Sequence, residues 1–190
     1  MGFPGFPFDD YPKYYQDPDE STCVPVCFKT VLDIMKKRVK GIPDLSLKEI
    51  AEIIETTKDG TPFGANISKI NDNLHATIPH IEFDVDYSGV RWKTIISDVM
   101  EENPLNTPVI AIIKQYDSQE LDWMVHAVVI LYAANDYTVY WDPIYGEMTE
   151  PTNKFFQQWD ALYRICVRLK HVPRVQRLLE EFPEVKSEEK

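Results

Sequence analysis

The 190-residue sequence has only 20 lysines and arginines against 31 acidic residues, a formal charge of −11. That deficit of positive charge argues against nucleic-acid binding, which leaves a basic footprint. It also offers nothing to an anionic membrane surface. No apolar run approaches the ~20 residues that a membrane helix requires. The longest, Pro108–Ile113 and Ala127–Ala134, have the length of strands. Three cysteines, Cys23, Cys27 and Cys166, are too few and odd in number for a disulfide framework, and suit a reducing compartment. The stretch MGFPGFPFDDYPKYYQ lacks the basic region, unbroken apolar core and small-residue cleavage site of a secretion signal. The expected location is therefore the cytoplasm. Phosphate loops, GxGxxG, HExxH and internal repeats are missing. His75, His80 and His171 offer no clear pair to complete a zinc site with the cysteines, so neither a metal nor another cofactor is expected.

What is present is the composition of one globular domain, 44% hydrophobic and 27% charged. Residues 1–10 have no helical or strand period and read as an extended arm, either a strap on the sheet or a segment near a substrate groove. Ser21 and Thr22 precede a helix in which Cys27, Val31, Ile34 and Met35 recur at helical spacing, Pro25 suits the first turn and Gly41 is a stop. Ser46-Leu47-Lys48-Glu49 is a capping box opening a second helix. Asn66 heads a third helix, with Ile67, Ile70 and Leu74, and Ser88 a fourth, with Trp92, Ile95, Ile96 and Val99. Between them, Ile81, Phe83 and Val85 alternate with acids as in a half-buried strand. The period then changes. Val109–Tyr116, Met124–Ala133, Tyr137–Asp142 and Leu162–Leu169 read as strands, Thr152–Asp160 as a short helix and Val172–Phe182 as a last one. Helices first and an antiparallel sheet afterwards is the α+β pattern.

A thiol nucleophile needs a depressed pKa, which a helix N-terminus helps to supply. It also needs a base, commonly His, oriented by a third polar group. Cys23 stands at the predicted start of the first helix. His126 interrupts an apolar strand, and Asp142 ends the next strand after a turn at Asn135-Asp136. A hairpin of those two strands brings His126 and Asp142 together. Gln16 can offer a side-chain amide to a tetrahedral oxyanion. Each residue alone has a plain structural explanation, as core thiol, strand histidine, turn aspartate or surface glutamine. Their joint order carries the argument. Cys27, four residues after Cys23, reads as a core residue. Trp123 and Trp141 flank the His and the Asp in sequence; they read as packing residues or as a cover that would contact substrate.

The segments Tyr11–Gln16 and Cys23–Leu32, with His126–Leu131 and Trp141-Asp142-Pro143, resemble the papain-like cysteine peptidases related to bacteriocin-processing (double-glycine) leader peptidases. Phe156 and Trp159 resemble the terminal Phe…Trp helix of that group. The likeness spans residues 11–169. It implies an α+β papain-like cysteine proteinase fold over residues 11–170, an N-terminal helical lobe packed on a C-terminal antiparallel sheet lobe, followed by a helix and charged tail over 171–190. It also implies that Cys23 is nucleophile, His126 general base and acid, Asp142 the residue orienting His126, and Gln16 an oxyanion-hole donor, acting on a peptide or protein substrate. Val24 stands where the group has Gly, and the acidic stretch Asp17-Pro18-Asp19-Glu20 opposes thiolate formation by its charge. Those departures keep a papain-fold binding module without turnover as an alternative. Transglutaminase-like acyl transfer uses the same three residue types. Neither the substrate nor the oligomeric state can be read from the residues.

Overall fold

The computed structural model describes residues 11–17, 20–37, 39–62, 67–87, 108–117 and 122–172. The arm expected over residues 1–10, the helix expected after Ser88 and the final helix and tail lie outside the described residues. Three helices come first: α1 (Cys23–Lys36), α2 (Leu47–Ile53) and α3 (Ile67–Thr77). Strands β1 (Ile81–Asp86), β2 (Val109–Asp117), β3 (Asp122–Ala133), β4 (Tyr137–Asp142) and β5 (Gly146–Pro151) follow, then helix α4 (Thr152–Asp160) and strand β6 (Cys166–His171). The six strands form one antiparallel sheet in the order β1-β6-β2-β3-β4-β5. The last strand thus inserts between the first two.

The sheet is covered on both faces, which is why β2, β3 and β4 are nearly continuous apolar runs. Phe28, Leu32, Ile112, Val129, Trp141 and Leu169 belong to the core under α1–α3. Ile113, Val128, Ile130, Tyr140, Phe155 and Trp159 form a second core under α4. Helix α1 is central, packed on β3 and α2, and is buried almost all round, including Lys29 and Thr30. A helix is apolar on every side only when neighbours cover every side. Its two buried polar groups are satisfied. Thr30 donates to the Val26 carbonyl, and the Lys29 ammonium donates to the Leu45 carbonyl and the Asp33 carboxylate.

The capping box forms as read: Ser46 Oγ accepts from the Glu49 N–H, and the Glu49 carboxylate accepts from the Ser46 N–H. Some elements differ from the sequence reading. Helix α1 leaves regular geometry at Lys37, and Gly41 takes a left-handed turn at φ +89° four residues later. Strand β6 begins at Cys166 instead of Leu162, because Tyr163 and Arg164 adopt left-handed φ of 55° and 53° in a turn closed by the Ile165 N–H on the Leu162 carbonyl. Strand β5 went unread. It is an edge strand with two glutamates and a proline, so it carries almost no apolar alternation.

The weight of these features is measurable by chemical denaturation. Phe28→Ala empties a fully buried site beneath the sheet and is expected to cost about 3–5 kcal/mol. Ser46→Ala removes one exposed cap and is expected to cost about 1 kcal/mol.

Candidate active site

The site begins with the first turn of α1. Cys23 is the first helical residue, and the ladder opens with the Val26 N–H on the Thr22 carbonyl at 3.0 Å. Thr22 supplies no side-chain cap, and no acidic residue lies in the first turn. The positive end of the helix therefore stands uncompensated at Cys23. Pro25 falls within the turn whose N–H groups have no helical partner, so its missing donor is harmless. One turn on, the buried Cys27 thiol donates to the Ala127 carbonyl at 3.3 Å. That bond joins α1 to β3 at the residue after His126.

His126 and Asp142 meet across the β3–β4 pair. Val129 is opposite Trp141 and Ile130 opposite Tyr140. Continuing that register sets Asp142 opposite Val128, so His126 is its diagonal neighbour on the same strand face. Two side chains span that separation. His126 Nε2 lies 3.0 Å from Asp142 Oδ1, with both residues sealed from solvent at 1% and 0% exposure. A carboxylate only accepts, so Nε2 carries the proton and donates it. The other nitrogen, Nδ1, is buried with no hydrogen-bond partner. In the neutral ring it is the basic atom. Asp142 Oδ1 also accepts the Ile144 and Tyr145 N–H groups at 2.7 and 3.1 Å. The Asp-Pro turn and the orientation of His126 are therefore the work of one carboxylate.

The electrostatics of Cys23 and His126 are complementary. Burial pushes the Cys23 thiol up, but the adjoining His126 imidazole, with the Ala127 and Val24 backbone, outweighs it and leaves the thiol below its ordinary value. Burial likewise opposes a charged His126, yet Asp142 and Cys23 outweigh it, and the imidazole is pushed up to about 9. Opposite shifts in the two partners favour a thiolate–imidazolium pair. The other two cysteines are driven the other way. Burial, Cys23 and Asp142 hold Cys27 well above its usual range, and burial with Asp86 and Asp84 pushes Cys166 up to about 12.

Gln16 comes to the same place from the N-terminal side. Its backbone N–H donates to the Pro143 carbonyl at 3.0 Å, directly after Asp142. Its side-chain Nε2 donates to the Glu20 carbonyl at 3.0 Å, and Oε1 is buried without a partner. An amide carries two N–H groups, so the Glu20 bond does not consume its donor capacity. The structure thus gathers Cys23, His126, Asp142 and Gln16 at one end of the β3–β4 pair.

The two tryptophans go elsewhere. Trp123 is 57% exposed, lies edge-on to Tyr116 and under the Lys114 ammonium, and walls a depression of about 600 Å³ with Glu150 and Gln158. Trp141 is buried beneath residues 11–16, where it meets Tyr11 and Tyr15 edge-on and its indole N–H donates to the Tyr14 carbonyl at 3.0 Å. Sequence reasoning missed that contact and the Cys27–Ala127 bond. Both use a backbone carbonyl as acceptor, which no side-chain pattern announces. Among the described residues no cluster of three or more His, Cys, Asp or Glu could hold a metal, and no helix is long and apolar enough to cross a membrane.

No family model matches the sequence, and no curated protein matches it significantly. Solved structures do match the fold. A C39-like peptidase from Bacillus anthracis aligns over 88% of this chain and 96% of its own, with TM-score 0.57 and 15% identity. The peptidase domain of Streptococcus ComA, a bifunctional ABC transporter of a quorum-sensing pathway, aligns over 86% and 98%, with TM-score 0.54 and 16% identity. A double-glycine motif protease from an AMS/PCAT transporter, solved with its leader peptide, aligns over 86% and 93%, with TM-score 0.53 and 17% identity. At such identities the likeness speaks to architecture. N-terminal helices on a six-stranded antiparallel sheet are, in this chain, the papain-like fold of the C39 peptidase domains.

Proposed function

We propose that the protein is a cysteine-type peptidase or amide hydrolase working through Cys23, His126 and Asp142, with Gln16 as an oxyanion donor. The observation that carries this reading is the sealed His126–Asp142 bond, which leaves Nδ1 as the basic nitrogen beside a thiol shifted below its ordinary value. In the reaction the Cys23 sulfur attacks a carbonyl carbon while His126 holds the thiol proton. The tetrahedral oxyanion is met by the Gln16 amide. As the C–N bond breaks, His126 gives its proton to the leaving amine, and water then releases the acyl group from sulfur. Asp142 keeps Nε2 protonated and stabilises the imidazolium. A peptide substrate is supported by the transporter protease solved with a leader peptide. A reducing compartment such as the cytoplasm would keep the nucleophile as a thiol.

Iodoacetamide alkylation followed by mass spectrometry across pH tests the nucleophile. Cys23 is expected to react first, with an inflection well below the ~8.5 of an ordinary thiol, and His126→Ala should move that inflection back up. Cys27 and Cys166 should resist until the chain is unfolded. Ordinary reactivity at Cys23 would instead favour a binding module of the same fold.

Turnover can be followed on a peptide library. Cys23→Ala should abolish it, and Asp142→Asn should lower kcat by about 10²-fold or more, the range of general acid–base catalysis. The pH profile is expected to be bell-shaped. Its acid limb rises as the thiolate–imidazolium pair forms. Its alkaline limb falls as His126 loses its proton near its raised value of about 9. Turnover by Cys23→Ala would rule out this assignment.

A further inference from the structure

The segment from Tyr11 to Gln16 is not a loose lead-in to α1. It crosses β4 as a strap with several anchors. At its outer end the Tyr11 hydroxyl donates to Glu147 Oε2 at 2.8 Å. In its middle the Tyr14 hydroxyl donates to Oδ2 of the half-buried Asp33 of α1 at 2.6 Å, and the Lys29 ammonium lies over the Tyr14 ring at 4.8 Å. Tyr15 closes over Gly146, where an added Cβ would lie 3.4 Å from the Tyr15 hydroxyl oxygen. Nearest the site, two further bonds tie the strap to the residues on either side of Asp142. The Trp141 indole N–H donates to the Tyr14 carbonyl, and the Gln16 N–H donates to the Pro143 carbonyl, both at 3.0 Å.

These two bonds run in opposite directions between Tyr14/Gln16 and Trp141/Pro143, so the strap and the Asp142 turn form a short ladder. Its rungs fix the spacing between the residue that orients His126 and the residue read as the oxyanion donor. The Trp141 rung has a strong reason to persist. The indole is 1% exposed, wedged between Tyr11 and Tyr15, and a buried N–H left without an acceptor would cost about 1–3 kcal/mol. A mismatch of a fraction of an ångström at an oxyanion donor is enough to weaken transition-state binding.

We propose that Trp141 is a positioning residue, its indole N–H setting the Tyr14 carbonyl so that the Gln16 amide is held at the oxyanion. This rests on the reading of Gln16 as an oxyanion donor. The indole N–H of Trp141 is directed at the Tyr14 carbonyl and acts through the strap. The remaining anchors, Tyr11–Glu147 and Tyr14–Asp33, keep the strap attached when the indole N–H is removed.

Two reagents separate this role from a general structural one. p-Nitrophenyl acetate acylates a thiolate through a tetrahedral oxyanion: the Cys23 sulfur bonds to the acetyl carbon, the ester C–O bond breaks, and p-nitrophenolate leaves. Iodoacetamide alkylates the same sulfur by displacing iodide, with no oxyanion. Trp141→Phe is expected to slow acylation of Cys23 by roughly tenfold or more, in keeping with the loss of an oxyanion-hole contribution. Its alkylation rate and alkylation pH profile should match those of the wild type. In a Gln16→Ala background, which itself slows acylation, Trp141→Phe should add less than about twofold, since residues acting as a unit are not additive. Unchanged acylation, equal losses in both reactions, or additive losses in the double variant would each overturn the proposal. If Trp141→Phe fails to fold, 3-benzothienylalanine at position 141 keeps the ring shape, removes only the N–H, and reads the same comparison. A wild-type Cys23 that reacts with neither reagent would sink the hydrolase reading itself, a result distinct from all of these.

Discussion

The arrangement depends on one buried hydrogen bond, His126 Nε2 to Asp142 Oδ1. Two ionisable groups lie there with no access to water, and each, ionised without its partner, would cost several kcal/mol. The pair is tolerable only in its observed geometry. It therefore constrains the register of β3 on β4, the path of the Asp142-Pro143-Ile144 turn and the tautomer of the imidazole. A slip of one residue in that register would turn His126 to the opposite face and strand both groups. The apolar runs on either side, Ala127–Leu131 and Val139–Trp141, hold the register because both faces of the sheet are covered.

The helical half of the chain meets this pair through backbone atoms. The Cys27 thiol reaches the Ala127 carbonyl, and that places the first turn of α1, with Cys23, beside His126. The strap over residues 11–16 reaches the carbonyl after Asp142. Cys23 and Gln16 are thus brought to His126 and Asp142 by contacts between residues 100 or more positions apart in sequence. Such a site cannot form before the sheet does. The cysteines divide by the same logic. Cys27 and Cys166 are enclosed by apolar packing and raised, while Cys23, at the helix end and beside an imidazole, is lowered. Burial alone gives an inert thiol; burial with a cationic partner gives a reactive one.

Much of the architecture was legible in the residues, where a local rule governs. The start of α1 follows from the apolar period and Pro25, the capping box from Ser46 and Glu49, and β1–β4 and α4 from their patterns. The candidate quartet was legible too, because the order of Gln, Cys, His and Asp could be matched to helix start and strand end. The misses came where a local rule is silent. Strand β5 is an edge strand of charged residues held by its ladder to β4. The late start of β6 is set by left-handed turn residues that are not glycine. Trp141 reads from its neighbours as a packing residue or a cover; in the fold it packs under the strap, and its bond to the Tyr14 carbonyl is what no local rule announces.

The α+β order, the helix start at Cys23 and the strand positions of His126 and Asp142 follow from the residues alone, because these depend on side-chain period and turn chemistry within short windows. Which nitrogen of His126 faces Asp142, the lowering of the thiol despite its burial, and the insertion of β6 between β1 and β2 emerge only in the folded chain. The tie between Gln16 and the Asp142 turn likewise forms only there. Each of these depends on backbone carbonyls, N–H groups and desolvation contributed by distant segments, which acquire direction only once the sheet has closed over α1.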